Sequence, residues 1–376
     1  MALGLYIHVP FCPQRCPYCA FATVVGQEDR HDLYAEAICR EIESWAHLSG
    51  PVETVFLGGG TPSQVAPVLI GQMLKVAQRH LGLHSDAEIS VEVNPGTVDR
   101  EKFAALKALG CNRISIGAQA FGDADLRHLG RQHSAADVER AYAAARAVGF
   151  ANVSLDLVAN VPGVSEANWH FSVEQAIALA PEHLSVYSLT IEEGTIFAQR
   201  QRQGLLKSVA DDRQARTLEW TDTKLVAAGY EHYEVSNYAR LGYRSCHNWS
   251  YWTGVPYLGV GLGAHSFVNG KRFWNTRDLN AYLDAMAQGQ SPCTGEETIA
   301  PDTARRERLW MGLRTIEGIE LTEEEVGRVQ SSKRFDDLEK VGYVALEGQR
   351  LRLTRAGFLL ADALGLELDR IVEEEQ

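Results

Sequence analysis

The residue types most able to do chemistry gather near the start of the chain, in His8-Val9-Pro10-Phe11-Cys12-Pro13-Gln14-Arg15-Cys16-Pro17-Tyr18-Cys19-Ala20-Phe21. Three of the seven cysteines fall here, spaced Cys12-x3-Cys16-x2-Cys19, so one short loop carries three thiols. Pro13 and Pro17 hold that loop out of helix. A structural zinc site needs a fourth ligand to close its tetrahedron, and no second CxxC or HxxxH lies nearby. A ferredoxin-type cluster takes four thiolates in a C-x2-C-x2-C run with a following Cys-Pro, a run that is absent here. The spacing fits a 4Fe-4S cluster held by three cysteines, with one iron open to a ligand that the protein does not supply.

A loop of this kind needs a frame. Short β-branched runs at 4–10, 54–58, 88–94, 113–118, 152–158 and 183–190 alternate with segments of helical spacing at 30–48, 64–81, 99–109, 134–149 and 168–180. In the first of these, Leu33, Ala37, Ile38, Ile42 and Trp45 mark the apolar face. Helices closing at Gly110 and Gly149 suit a left-handed C-cap. Alternating strands and helices predict an α/β fold with a parallel sheet. Six units rather than eight predict an open, partial (β/α)6 TIM-like barrel, with its chemistry at the carboxyl ends of the strands. The cysteine loop follows the first strand and so falls on that rim. Residues 1–195 form this barrel; 196–295 are a connecting segment that completes it; 296–376 form a C-terminal α+β unit, helical and winged-helix-like, with a hairpin turning at Gly348.

The formal net charge of −13 disfavours a nucleic-acid partner. No apolar run reaches the length of a membrane span, and the first residues lack the marks of an export signal, so a cytoplasmic location is expected. There Cys39, Cys111, Cys246 and Cys293 stay as thiols.

The same rim collects further polar groups. Gly58-Gly59-Gly60-Thr61-Pro62-Ser63 follows the second strand, where glycines let the backbone approach a ligand and offer its N–H and C=O groups. Glu92, Gln119 and Asp156 stand at successive strand ends, with Arg131 beyond; together they can hold hydroxyls and a carboxylate. The plainer reading makes Glu92 and Asp156 loop caps.

The cysteine loop paired with the glycine turn resembles the radical S-adenosylmethionine (SAM) superfamily, whose cluster leaves its fourth iron to be chelated by SAM. The order and spacing resemble, more narrowly, the oxygen-independent coproporphyrinogen III oxidase-like branch. That resemblance implies Cys12, Cys16 and Cys19 as cluster ligands. It implies Tyr6, Tyr18, Gly59, Gly60, Thr61, Glu92, Gln119, Arg131, Asp156 and Thr190 around SAM. Gln119, Arg131 and Asp156 match positions that can instead belong to a second SAM in the oxidases. After Asp156-Leu157 the chain departs from the usual Tyr-Gly, reading Val158-Ala159-Asn160.

Downstream, Cys246-His247-Asn248-Trp249-Ser250-Tyr251-Trp252 packs aromatics around one histidine. This composition suits either an ordinary core flap or a slot for a planar macrocycle in which His247 or Cys246 ligates iron. The run resembles the HNxxYW signature of the heme-chaperone family HemW, with His247, Asn248, Tyr251 and Trp252 in its four places; the glycine-rich run 258–267, ending in Ala264-His265-Ser266-Phe267, also matches. Two functions therefore stand. One is radical decarboxylation of coproporphyrinogen III to protoporphyrinogen IX. The other is a carrier that binds heme as cargo and hands it to apo-hemoproteins, membrane-associated respiratory enzymes included, served by an electron donor such as flavodoxin, with a dimer as one option. Phe21 stands where the oxidases place a fourth cysteine, and only five residues precede Tyr6 where they carry a long segment. These departures and the HNxxYW run favour the carrier, with an enzymatic step left uncertain.

Overall fold

The structure is a computed structural model describing residues 3–48 and 50–373. Its parallel strands run in chain order through one sheet: β1 (Leu3–Val9), β2 (Val52–Gly59), β3 (Leu83–Val93), β4 (Arg113–Gln119), β5 (Val153–Ala159) and β6 (His183–Ser188). Leu5, Ile7, Val55, Leu57, Ile114, Ile116, Leu155 and Leu157 are all fully buried, as expected of strands covered on both faces. Gly110 and Gly149 take positive φ of +94° and +87° after the Arg100–Ala108 and Ala135–Ala147 helices, in keeping with the expected caps.

The 196–295 segment extends this sheet at both edges. β7 (Glu231–Glu234) and β8 (Asn237–Ala239) add beyond β6. At the other edge β9 (Tyr257–Val260) joins β1 in parallel, followed by antiparallel β10 (His265–Val268), β11 (Lys271–Asn275) and β12 (Cys293–Thr298). Among the described residues the outermost strands do not pair with each other, so the sheet stays open. A second sheet, ordered β13 (Ile319–Glu320), β15 (Arg350–Leu353), β14 (Val344–Glu347), packs with five helices around its own core of Leu309, Val329, Phe335, Leu353, Phe358 and Leu368. The two units are stitched by backbone: Val235 N–H donates to Arg314 O at 3.0 Å and Ile316 N–H to Tyr233 O at 2.9 Å. These bonds cover an edge that would otherwise expose unpaired groups.

The His31–Ser44 helix buries the expected Ala37, Ile38 and Ile42 together with Tyr34 and Glu41, and Trp45 packs partly buried against the same core, so of the expected apolar face Leu33 alone is exposed, at 46%. Glu41 is the buried position that the apolar pattern misses. Its buried carboxylate accepts from Gly261 N–H (2.8 Å), Asn275 Nδ2 (2.6 Å) and Tyr282 Oη (2.6 Å), tying the helix to the loop after β9. Three donors satisfy a charge that would be costly buried alone.

The ends of β1 and β2 approach very closely. Gly59 has φ +107°, and a Cβ there would lie 2.3 Å from the His8 ring; one on Gly60 would lie 2.5 Å from the Pro10 carbonyl. Gly59→Ala therefore lowers stability by about 2–4 kcal/mol through strain and overlap. Gly82→Ala, with positive φ but no atom within 4 Å, costs about 1–2 kcal/mol. Thermal unfolding of both variants checks this; equal losses would contradict it.

Candidate cluster and cofactor site

The cysteine loop is closed at its neck by Cys12 N–H to Val24 O and Val24 N–H to Pro10 O, both 2.9 Å. The glycine turn docks on the same neck: Gly60 N–H donates to Val9 O and Thr61 N–H to Phe11 O, both 2.8 Å. This places Thr61 Oγ1 3.5 Å from Cys12 Sγ. From the third side Arg131 reaches Cys16 Sγ at 3.7 Å and Gly117 O at 3.2 Å, while its buried Nε has no partner among the described residues. Gly130, at φ +69°, abuts Pro17, where a Cβ would lie 2.5 Å from the ring.

Burial raises the thiol pKa of Cys12, partly offset by Thr61, and that of Cys19, so a metal centre must displace protons to bind them. Among the described residues no three His, Cys, Asp or Glu side chains converge on one point as a single ion requires. The donor set of three thiols on one loop, with a guanidinium beside Cys16, fits a multi-iron cluster, whose negative charge a cation offsets.

Behind the loop, Tyr6 Oη donates to His8 Nδ1 at 3.0 Å, and His8 Nε2 donates to Ala22 O at 2.8 Å. Burial pushes His8 down to about 4, so it is neutral and this pairing assigns its tautomer. Glu92 accepts Gly59 N–H at 3.1 Å and is pushed up to about 7 by burial and by Asp156. Asp156 takes Ser115 Oγ on both oxygens at 2.9 Å and is also raised by burial. Buried Arg113, 1% exposed, draws both carboxylates back down. Gln119 sits in the left-handed region at φ +66°, which stores strain at the end of β4. Tyr18 packs on Phe197, and burial raises its phenol pKa. Thr190 lies exposed beyond β6, without a hydrogen bond to the others among the described residues.

The expectation for the glycine turn is narrowed in one respect: the N–H groups of Gly59, Gly60 and Thr61 all serve protein acceptors, so the N–H half of its offer is spent within the protein, and the turn also packs closely on its neighbours.

A cavity of about 1020 Å³ opens from Tyr6, Gly59 and Glu92, passes Phe21, and is walled farther out by Trp249, Tyr251 and Trp252. The Cys246–Trp252 helix presents those aromatics, capped by Ser245 Oγ accepting Asn248 N–H at 3.3 Å. His247 faces the other way. Its Nδ1 is 2.8 Å from Thr54 Oγ1, its Nε2 is 2.9 Å from Tyr251 Oη, and its ring stacks on Phe56 at 5.2 Å. Burial pushes it down to about 3. Both ring nitrogens are occupied, which corrects the expectation of His247 as an iron ligand. Asn248 and Cys246 are also off the cavity wall; Cys246 is exposed, its N–H bonded to Glu88. Of the signature, Tyr251 and Trp252 reach the cavity, and His247 anchors Tyr251.

Sequence reasoning gave His8 and Glu41 no role. The signal for His8 was its place two residues after Tyr6 on one strand face; Glu41 offered none, being one acid among many on a helix. His247→Ala, which strands Thr54 and Tyr251 and opens a void beside Phe56, should lower stability by about 2–4 kcal/mol. An unchanged melting curve would contradict a packing role.

Comparison with known proteins agrees with this geometry. The radical SAM superfamily model matches residues 6–176. The heme chaperone HemW of Synechocystis sp. is 39% identical over 328 residues, 85% of this chain and 79% of that protein. Its counterpart in Mycobacterium tuberculosis is 37% identical over 366 residues, 96% and 93% of the two chains. The solved coproporphyrinogen III oxidase of Escherichia coli superposes with a TM-score of 0.83 at 24% identity, covering 98% of this chain and 90% of the other, which establishes the shared fold. With relatives of this identity along nearly its whole length, the chain belongs to the HemW family of the radical SAM superfamily.

Proposed function

We propose that this chain binds heme as cargo and delivers it to apo-hemoproteins, using a 4Fe-4S cluster and SAM in support. The observation that carries the reading is the cavity, which joins the cluster loop to an aromatic wall large enough for a planar macrocycle. The HemW relatives, named heme chaperones, agree with it. When bound, the cluster supplies an electron and an open iron at which SAM is held.

In this reading Cys12, Cys16 and Cys19 hold the cluster, and Arg131 offsets its charge from beside Cys16. Tyr6 and Glu92 line the deep end of the cavity, where a carboxylate near its midpoint suits the cationic groups of SAM. Gly59, Gly60 and Thr61 shape that end by letting two backbones meet. Asp156 and Gln119 lie at neighbouring strand ends and Tyr18 within the cysteine loop, while exposed Thr190 stands farther out. Tyr251 and Trp252 face the macrocycle; His247 and Asn248 support their helix. Phe21, 66% exposed on the cavity wall, offers heme an apolar face from the cluster side.

The recipients we infer are apo-hemoproteins, including respiratory enzymes at a membrane. A flavodoxin-type donor reduces the cluster, two copies can pair, and the chain works in the cytoplasm. Cys39, Cys111, Cys246 and Cys293, which form no disulfide among the described residues, suit a reducing compartment, and no helix among the described residues is long and apolar enough to cross a membrane.

Anaerobic, cluster-loaded protein decides between carrier and oxidase. Heme-loaded protein mixed with an apo-globin should transfer its heme, read in the visible spectrum. In parallel, SAM, reductant and coproporphyrinogen III should yield no protoporphyrin fluorescence. Product formation without heme transfer would overturn the proposal.

A further inference from the structure

An iron-ligating side chain for the cargo has to reach the cavity with an unspent donor atom. His8 lines the cavity with both nitrogens bonded, and His247 is outside it with both bonded. None of the seven cysteines lines it. His265 differs: it is exposed on the cavity wall, and its ring makes no hydrogen bond among the described residues.

The hairpin explains its aim. Antiparallel pairing sets His265 opposite Trp274 and Phe267 opposite Arg272, and strand alternation puts all four on one face. The alternate residues turn away: Ser266 is fully buried, and Phe273 packs, partly buried, against the barrel core. The imidazole stacks on Trp274 with centroids 5.7 Å apart and planes 24° apart, which limits its rotation.

The backbone beneath it is held firmly. Gly261 N–H is bound by Glu41, Leu262 N–H by Tyr34 Oη at 2.9 Å, and Gly259 N–H by Ser266 Oγ at 2.9 Å. A Cβ on Gly259 would lie 2.1 Å from the His265 carbonyl, so the loop tolerates no side chain there. Burial, with Arg272 and Arg277 nearby, lowers the His265 pKa and keeps the ring in the neutral form that binds metals.

The neighbouring cations divide unequally. Arg272 is paired with Glu297 at 2.7 Å and Glu307 at 2.8 Å. Arg277, also on the wall, donates to Ala20 O at 2.7 Å and has no carboxylate partner among the described residues. An uncompensated guanidinium beside a planar apolar site suits a carboxylate of the ligand.

Building on the heme-binding reading, we propose that His265 is the axial ligand of the heme iron and that Arg277 binds a heme propionate. The imidazole nitrogen donates its lone pair to iron, while Phe267 and the aromatics of the Cys246–Trp252 helix flank the macrocycle.

Hemin titration of the cluster-loaded chain, followed by visible spectroscopy and electron paramagnetic resonance, tests this on wild type, His265→Ala and Arg277→Gln. Both positions are exposed, so folding is retained, which circular dichroism verifies. His265→Ala should change the Soret position and ferric signal and weaken binding about tenfold or more, and added imidazole should restore the wild-type spectrum. Arg277→Gln should weaken binding with the spectrum unchanged. Wild-type binding with His265→Ala identical in spectrum and affinity would overturn the ligand assignment and leave the carrier reading standing. A wild type that binds no stoichiometric heme would take down both.

Discussion

The site depends on one close approach between backbones. At the carboxyl ends of β1 and β2, Gly59 and Gly60 cross His8 and Pro10 with no room for a Cβ, and the N–H groups of Gly60 and Thr61 are spent on Val9 and Phe11. That contact ties the cysteine loop to the sheet. Without it the loop would be a flexible excursion between β1 and the first helix, and three thiols on a flexible loop would lose entropy in gathering around a metal centre. With it, Cys12 is set against Thr61, and Arg131 meets Cys16 from the β4 side. The glycines act on the cofactor site through geometry, since their donors face protein.

A second constraint is electrostatic. The strand ends carry Glu92 and Asp156 close together above a buried Arg113. Burial and mutual repulsion raise Glu92, so its carboxylate gains from a cationic neighbour. The outer half of the cavity is built differently, from Trp249, Tyr251, Trp252 and the β10–β11 hairpin. One continuous space thus has a charged floor beside the cluster loop and an aromatic, cation-edged wall farther out. That division fits a polar nucleotide cofactor below and a planar apolar cargo with acidic substituents above.

Much of this was legible in the residues. The six parallel strands follow from continuous β-branched runs, and the cluster loop from three cysteines at a spacing with few other uses. What escaped was whatever depends on contacts distant in sequence. Glu41 looks like a surface acid, yet it meets Gly261, Asn275 and Tyr282 more than two hundred positions away. That pairing places an acid on the buried face of the His31–Ser44 helix, beside the expected Ala37, Ile38 and Ile42. The short, charged strands β11 and β12 carry no strong alternation and were invisible. His247 stood out by composition, but composition cannot say which way a ring faces; Thr54 and Phe56 draw it inward, while His265, lost in a glycine-rich run, is turned to the cavity by strand alternation.

The central claim is that three cysteines leave one iron open to SAM beside the glycine turn. Electron paramagnetic resonance of the anaerobically reconstituted, reduced chain, recorded before and after adding SAM, tests it most directly. The spectrum should show a 4Fe-4S signal whose g values shift when SAM binds the open iron, and Cys16→Ala should lose that signal. A cluster signal indifferent to SAM, or stoichiometric zinc in place of a cluster, would contradict it.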